Sequence, residues 1–216
     1  MVKSQPKGTV RGTLSPASIA ASALKLGDQE GPEAMAIRRI AAQLGCDPMA
    51  LYRHFANRVA LLDAVADLAL ADLALPDDHD PWEDRLRSLL TETRRAALAH
   101  PGIAPHIAAR PPLGPHGLRI GRVLIEALRQ AGLDDRQTVA ASQVLIAYLS
   151  SAIAMAVATQ GRRDDRWSEA AQAVRDSSEH RLPADAMPAV GSVDQFSFGL
   201  DLLIDGLRAR VRDRPR

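Results

Sequence analysis

A chain of 216 residues, 46% hydrophobic and 25% charged, has the balance of an ordinary soluble globule, long enough for a small domain joined to a larger one. Aromatic residues are only 3%, so the core must rest on Leu, Ile, Val and Ala, which favours helices and argues against a sheet-based fold. The net charge of +1 hides a division: residues 1–58 carry eight Lys or Arg against four acids, a net +4 that leaves −3 on the remainder, so a polyanion would meet the head.

Residues 1–14 read as a disordered basic tail: Lys3, Lys7 and Arg11 lie among Gly, Thr and Pro, with no apolar run of a signal peptide. Ser15-Pro16 supplies an N-cap followed by Pro at the first helical position. Ile19, Ala23, Leu24 and Leu26 then give an apolar face, and Gly27 to Pro32 end this helix. A second helix is expected from about Ala36 to Leu44, a tight turn at Gly45-Cys46-Asp47, and a short helix from Pro48 to about Phe55. A fourth runs from about Arg58 to Leu75, and Pro76 to Pro81 is a clear break. Further helices are expected near 82–99, 103–109, 115–131, 135–159, 167–179 and 193–212. Their loops hold His100-Pro101-Gly102, Pro111-Pro112, Gly132, Gly161 and a Pro-rich 182–192 segment. No segment alternates with period two for long enough to argue a sheet, so the fold is expected to be all-α.

Residues 139–158 contain no charge, long enough to span a bilayer. Ala dominates the stretch, and Ser142, Gln143, Ser150 and Ser151 interrupt it; a helix apolar nearly all round equally suits the centre of a bundle. The bundle is the expectation, with no membrane partner. Cys46 is the only cysteine, so no intrachain disulfide forms and a cytoplasmic location is expected.

The segment Ile37 to Phe55 has the geometry of a helix-turn-helix. Ala41 is small where two helices cross, and Gly45 permits the left-handed backbone that ends the first of them. Leu51 and Phe55, four apart, face Ile40 and Leu44 to make a small core. Pro48, Met49, Tyr52 and His54, with Arg53 nearby, fall on the exposed face of the second helix, whose N-terminal half would enter the major groove.

The string LGCDPMALYRHFANRVALLDAV resembles the signature of the tetracycline-repressor (TetR) family: Leu-Tyr-x-His-Phe, then a basic residue and Ala-Leu-Leu. With the helix from Ser15 before it and the long helix after Arg58 behind it, the resemblance covers residues 15–75. It implies that Arg38 reaches base edges or phosphate, and that Pro48, Met49 and Ala50 open the recognition helix against bases. Tyr52 and His54 match positions that touch phosphates or bases, and Arg58 matches a phosphate-binding position at a helix start, where the helix end adds its own attraction. Pro48, Met49 and Ala50 offer no side-chain hydrogen bonds, so readout there would be apolar, for example against thymine methyls, with DNA shape contributing. Lys3, Lys7 and Arg11 are either a minor-groove arm or a solvated tail.

The resemblance also implies a C-terminal helical region that dimerises through a four-helix bundle and encloses an effector pocket. The organisation expected is thus a tail over 1–14, a helix-turn-helix domain over 15–62, and a helical dimerisation and effector-binding domain over 63–216. Two helices are too apolar for a monomer surface, unless they form an internal core. One would offer Ala147, Ser151 and Ala154, the other Phe196, Leu200, Leu203 and Leu207, with Gly199 and Gly206 permitting close approach. Pocket candidates are Leu68, Leu89, Thr93, His106, Leu124, Tyr148 and Met155, and the scarcity of aromatics suits a small hydrophobic effector.

No GxSxG, P-loop or dinucleotide fingerprint is present, so no enzyme and no cofactor is expected. His100, His106 and His116 lack the i, i+4 spacing of a helical metal site, and the acids and His79 between Asp77 and Asp80 lie in a turn, where solvated acids are usual; no metal is expected. The function expected is a homodimeric regulator, a repressor, that binds a palindromic double-stranded DNA operator and is released by a small-molecule effector. The alternative is a helical protein–protein adaptor without sequence-specific DNA binding.

Overall fold

The computed structural model describes residues 14–159 and 189–212, with residues 169, 170, 172, 173 and 176 between them. Lys3, Lys7 and Arg11, more than half of the helix expected over 167–179, and most of the 182–192 segment lie outside the described residues. Among those described there is no strand, as expected. The helices are α1 (Pro16–Glu30), a 3-10 turn (Pro32–Met35), α2 (Ile37–Gln43), α3 (Pro48–Tyr52), α4 (Arg58–Leu68), α5 (Trp82–Leu98), α6 (Ala104–Ala109), α7 (Pro115–Gln130), α8 (Asp135–Thr159) and α9 (Val193–Arg212).

Local chemistry sets the ends of the head helices. Ser15 and Ser18 form a reciprocal capping box at 2.9 and 3.1 Å, with Pro16 in the first turn of α1. Asp47 caps α3 through the Met49 N–H at 2.7 Å, and Asn57 caps α4 through the Ala60 N–H at 2.9 Å. Gly45, at φ +64°, makes the left-handed step that separates α2 from α3. The 3-10 turn, which periodicity does not reveal in four residues, drives Ala34 and Met35 into the head core.

Helix α4 stops at Leu68, seven residues short of the expected Leu75. Beyond it the hydrogen bonds tighten to three-residue steps, Leu70 N–H to Asp67 O and Ala71 N–H to Leu68 O. The Arg119 guanidinium from α7 donates to the Ala71 and Leu73 carbonyls, both at 3.2 Å, satisfying groups that a continuing helix would have used. Asp67, itself buried, accepts the Gly117 N–H at 2.8 Å and so holds the start of α7 against the end of α4.

Two apolar clusters run through the molecule. The first holds the head side chains Ile19, Ile40, Leu51, Phe55, Leu61 and Val65, and continues without a break into Ile103 and Ile107 at α6 and Ile153 of α8. The second joins α5, α7, α8 and α9 through Leu86, Leu89, Leu128, Leu145, Leu200 and Ile204. Buried Arg85 of α5 ties this second cluster to its edges, donating to Asp78 at 2.8 Å and to Gln130 of α7 at 3.2 Å. That bridge occupies one acid of the 77–80 turn, while Asp77 caps its own turn through the His79 N–H.

Candidate nucleic-acid interface and ligand cavity

Short α3 is pinned from beneath by Leu51, fully buried, and by Phe55 just past its end. Its outer side is left to solvent. Met49 is 65% exposed and Tyr52 43%, while Pro48, Ala50 and His54 are half-buried. Arg38 on α2, Arg53 and Arg58 are exposed, and neighbouring Arg39 is ion-paired with Glu30. All seven residues expected to meet DNA are thus accessible to some degree. The two helix starts differ electrically: α3 begins on the Asp47 carboxylate, which offsets its dipole, while α4 begins on neutral Asn57 with Arg58 in its first position. The start of α4 is therefore the more favourable of the two for an anion.

A cavity of about 520 Å³ opens among α5, α6, α7 and α8. Its wall is Leu, Ile, Pro and Gly, with Thr93, Ser150 and Arg122 as the polar exceptions. Of the expected pocket residues, Leu89, Thr93 and Leu124 line it, and the Thr93 hydroxyl donates to the Leu89 carbonyl at 2.7 Å. The others are elsewhere. Leu68 packs against the head cluster, and His106 turns away to Asp63 at 2.7 Å. Tyr148 and Met155 line a separate space of about 270 Å³ against α9, where Tyr148 stacks on Phe196 and donates its hydroxyl to the Phe196 carbonyl at 2.6 Å. Burial raises the Tyr148 pKa above its ordinary value. Ile107, Gly121, Arg122 and Ser150, none of them foreseen, join the wall instead. The signal available was the pair Gly121-Arg122, a gap and a charge in the middle of an otherwise amphipathic helix.

The cavity wall is wired to the head. Asp63 of α4 accepts from Arg110, just past α6, through both oxygens at 3.2 Å, and from His106 at 2.7 Å. The Arg110 hydrogen bond, opposed by burial and aided by His106, holds the Asp63 carboxyl below its ordinary value. A second pair, Asp28 of α1 with His100 after α5 at 2.8 Å, stands beside a place where the backbones of Gly27 and Gly102 touch.

The opposite side of α8 and α9 is apolar and open. Val139, Val144, Phe198 and Leu202 are each more than half exposed, and Ala147, Ser151 and Ala154 are exposed beside them. Among the described residues α8 is also the one helix long and apolar enough to cross a membrane. The stripe expected on α9 needs correcting. Phe196 and Leu200 are 3% and 1% exposed and belong to the chain's own core, because α9 turns that edge toward Tyr148 and α5. Leu203 and Leu207 are half-buried, and it is Phe198 and Leu202 that point outward. Gly199 likewise serves an internal contact, since a Cβ there would lie 2.4 Å from the Tyr148 hydroxyl.

Sequence and fold comparisons agree with this arrangement. Residues 19–65 match the family model "Bacterial regulatory proteins, tetR family", and residues 75–211 match "Tetracyclin repressor-like, C-terminal domain". The chain is 27% identical over 224 residues to the HTH-type transcriptional repressor DrrR1 of Streptomyces coeruleorubidus, covering 97% of this chain and 83% of that one. Its fold is similar to that of the TetR family protein ActR of Streptomyces coelicolor in complex with actinorhodin (TM-score 0.74, 29% identity, 92% of this chain and 97% of the other). It is also similar to BioQ with its natural double-stranded DNA operator (TM-score 0.65, 29% identity, 91% and 99%). With both family regions matched and the helix-turn-helix in place, the chain belongs to the tetracycline-repressor family of DNA-binding, ligand-responsive transcriptional regulators.

Proposed function

We propose that the chain acts as a homodimeric repressor in the cytoplasm, gripping a palindromic operator until a small molecule fills the 520 Å³ cavity. The observation that carries this reading is the continuity of the head cluster into α6: the surface for DNA and the wall of the cavity share one packed core. In a two-fold dimer formed on the open side of α8 and α9, two copies of α3 would meet successive major grooves about 34–36 Å apart. Arg38, Tyr52 and His54 supply the polar contacts, Pro48, Met49 and Ala50 an apolar edge for thymine methyls, and Arg58 a phosphate anchor. The chain acts by binding rather than by catalysis. An effector that favours the conformation with the heads apart shifts the population away from the operator; coupling of about 1–3 kcal/mol weakens DNA binding roughly 5- to 150-fold, and DNA weakens the effector reciprocally.

Selection of bound sequences from random duplexes tests the reading. Enrichment of one palindrome is the expected result, and only weak, salt-sensitive binding with no preference would sink it. In the same assay Arg58→Ala is expected to weaken specific and random DNA alike and to flatten the salt dependence by about two for the dimer, one phosphate per copy.

A further inference from the structure

We propose that the ligand taken by the cavity is an apolar molecule with one anionic group, of the size and kind of a medium-chain carboxylate. The inference rests on the cavity's being the effector site and adds the chemical class of its occupant. Of the twenty residues that line the cavity, Arg122 is the one that carries charge, and no Asp, Glu, His or aromatic residue is among them. A cation-bearing or metal-chelating ligand would find no ligating or neutralising group in that wall, whereas an aliphatic body finds Leu, Ile and Pro on every side. Arg122 sits at the exposed rim with no carboxylate on it among the described residues. The one acid of α7, Glu126, is a turn away and 3.7 Å from Arg85. Two further guanidinia, Arg110 and Arg119, are already bound to Asp63 and to the Ala71 and Leu73 carbonyls. The free cation therefore faces the mouth of an apolar chamber, and half-buried Ser150 and exposed Arg122 set the polar end of the guest.

Size follows from the volume. At roughly 30 Å³ per non-hydrogen atom, the share of one molecule in liquid water, 520 Å³ holds on the order of fifteen to twenty such atoms. Gly121 gives the space its depth: a Cβ there would meet nothing within 4 Å.

The test is isothermal titration of the full-length protein with dodecanoate, its methyl ester and dodecanol, repeated with Arg122→Gln and Gly121→Leu. Cooperative melting of each variant serves as the control for folding. Dodecanoate is expected to bind saturably, one per chain, and roughly three- to ten-fold more tightly than the ester or the alcohol, the span between an exposed ion pair and a charged hydrogen bond. Arg122→Gln should erase that preference while keeping the apolar affinity, and Gly121→Leu should abolish binding of all three. Equal binding of ester and carboxylate, a preference that survives Arg122→Gln, or no binding of any of the three would overturn the proposal. Operator selection with ligand-free protein separates the failures: an operator with no carboxylate binding defeats this inference alone, and carboxylate binding without an operator defeats the regulatory reading alone.

Discussion

Replacing Gly102 by Ala adds one methyl group at the seam between the DNA-binding head and the body. A Cβ at Gly102 would lie 2.4 Å from the Gly27 carbonyl carbon and 2.5 Å from its Cα and oxygen, where ordinary contact is 3.4–4 Å. Those are backbone atoms in α1, held by the Gly31 N–H bond to the Gly27 carbonyl at 2.8 Å, so they cannot swing aside as a side chain would. Gly102 is not among the residues at positive φ, so Ala strains nothing in its own backbone and the whole effect is the collision. Relief requires the seam to open by about 1 Å, at an overpacking cost of about 1–3 kcal/mol. For a chain of this length that is a fall in melting temperature of roughly 2–12 °C. The lower lock, Asp63 with His106 and Arg110, stays closed, so the head should rotate as it lifts, and operator affinity should fall more than affinity for random DNA. Gly27→Ala is the internal control: its Cβ meets the Met35 sulfur at 2.7 Å, the end of a flexible side chain that can move. Thermal melts by circular dichroism and fluorescence anisotropy on operator and random duplexes read both effects. If Gly102→Ala melts and binds like the wild type, the two backbones do not touch in solution and the seam is not where head and body meet.

Acid should act through Asp63. Its folded pKa is held below the ordinary 3.8 by Arg110 and His106, so its contribution is full above the unfolded value and is lost as pH falls through the folded one. Asp63→Asn is therefore expected to be less stable than wild type in urea at pH 7, with the gap closing below about pH 3.8; a gap that is constant with pH would refute the ionic role. On the outer face, Leu202→Asp should leave a folded monomer by sedimentation, because Leu202 is 58% exposed and each copy would lose about 1.5–3 kcal/mol of burial. Leu200→Asp, at a site 1% exposed, should instead prevent folding; a dimeric Leu202→Asp protein would place the interface elsewhere.

The head was legible because its determinants are local. Ser15, Asp47 and Asn57 each cap a helix within three residues, and Gly45 marks its turn without help from distant chain. The body was less so, for reasons that can be named. Helix α9 carries apolar residues on two sides, Phe196-Leu200-Ile204 and Phe198-Leu202, and periodicity does not say which faces inward; Tyr148 and Arg94, forty-eight and about a hundred residues away, decide it by packing on Phe196. Arg94 is itself a buried cation whose guanidinium lies 5.2 Å from that ring and donates to the Gly191 carbonyl at 2.6 Å, and burial lowers its pKa. The same holds for α4, which ends early because Arg119 reaches back to it. His106 looked like a pocket residue by position, and a carboxylate forty-three residues earlier claims it.

A division of the chain near residue 62 would cut α4 between Leu62 and Asp63, through the middle of one apolar cluster, and that has a mechanical consequence. Helix α4 ends its buried face on Leu61, Val65 and Ala66, which belong to the head, yet its two acids hold the elements that frame the cavity. Asp63 is tied to α6 and Arg110, and Asp67, one turn later, to the start of α7. Those two attachments bracket the 110–114 segment, whose Pro111, Pro112 and Leu113 line the cavity. A ligand that spreads α6 from α7 therefore pulls on α4 at two points about 6 Å apart along its axis, which turns it rather than merely displacing it. The close-packed core behind α4 has no slack to absorb that turn, because Leu61, Val65 and Ala66 are fully buried. Rotation must then be passed on to Arg58 at the other end of the helix and to α1, which packs against α4. Uncoupling the two ends should need only the loss of one attachment: Asp67→Asn keeps the volume and weakens the tie to α7, and is expected to preserve operator binding while reducing the ligand's power to release it.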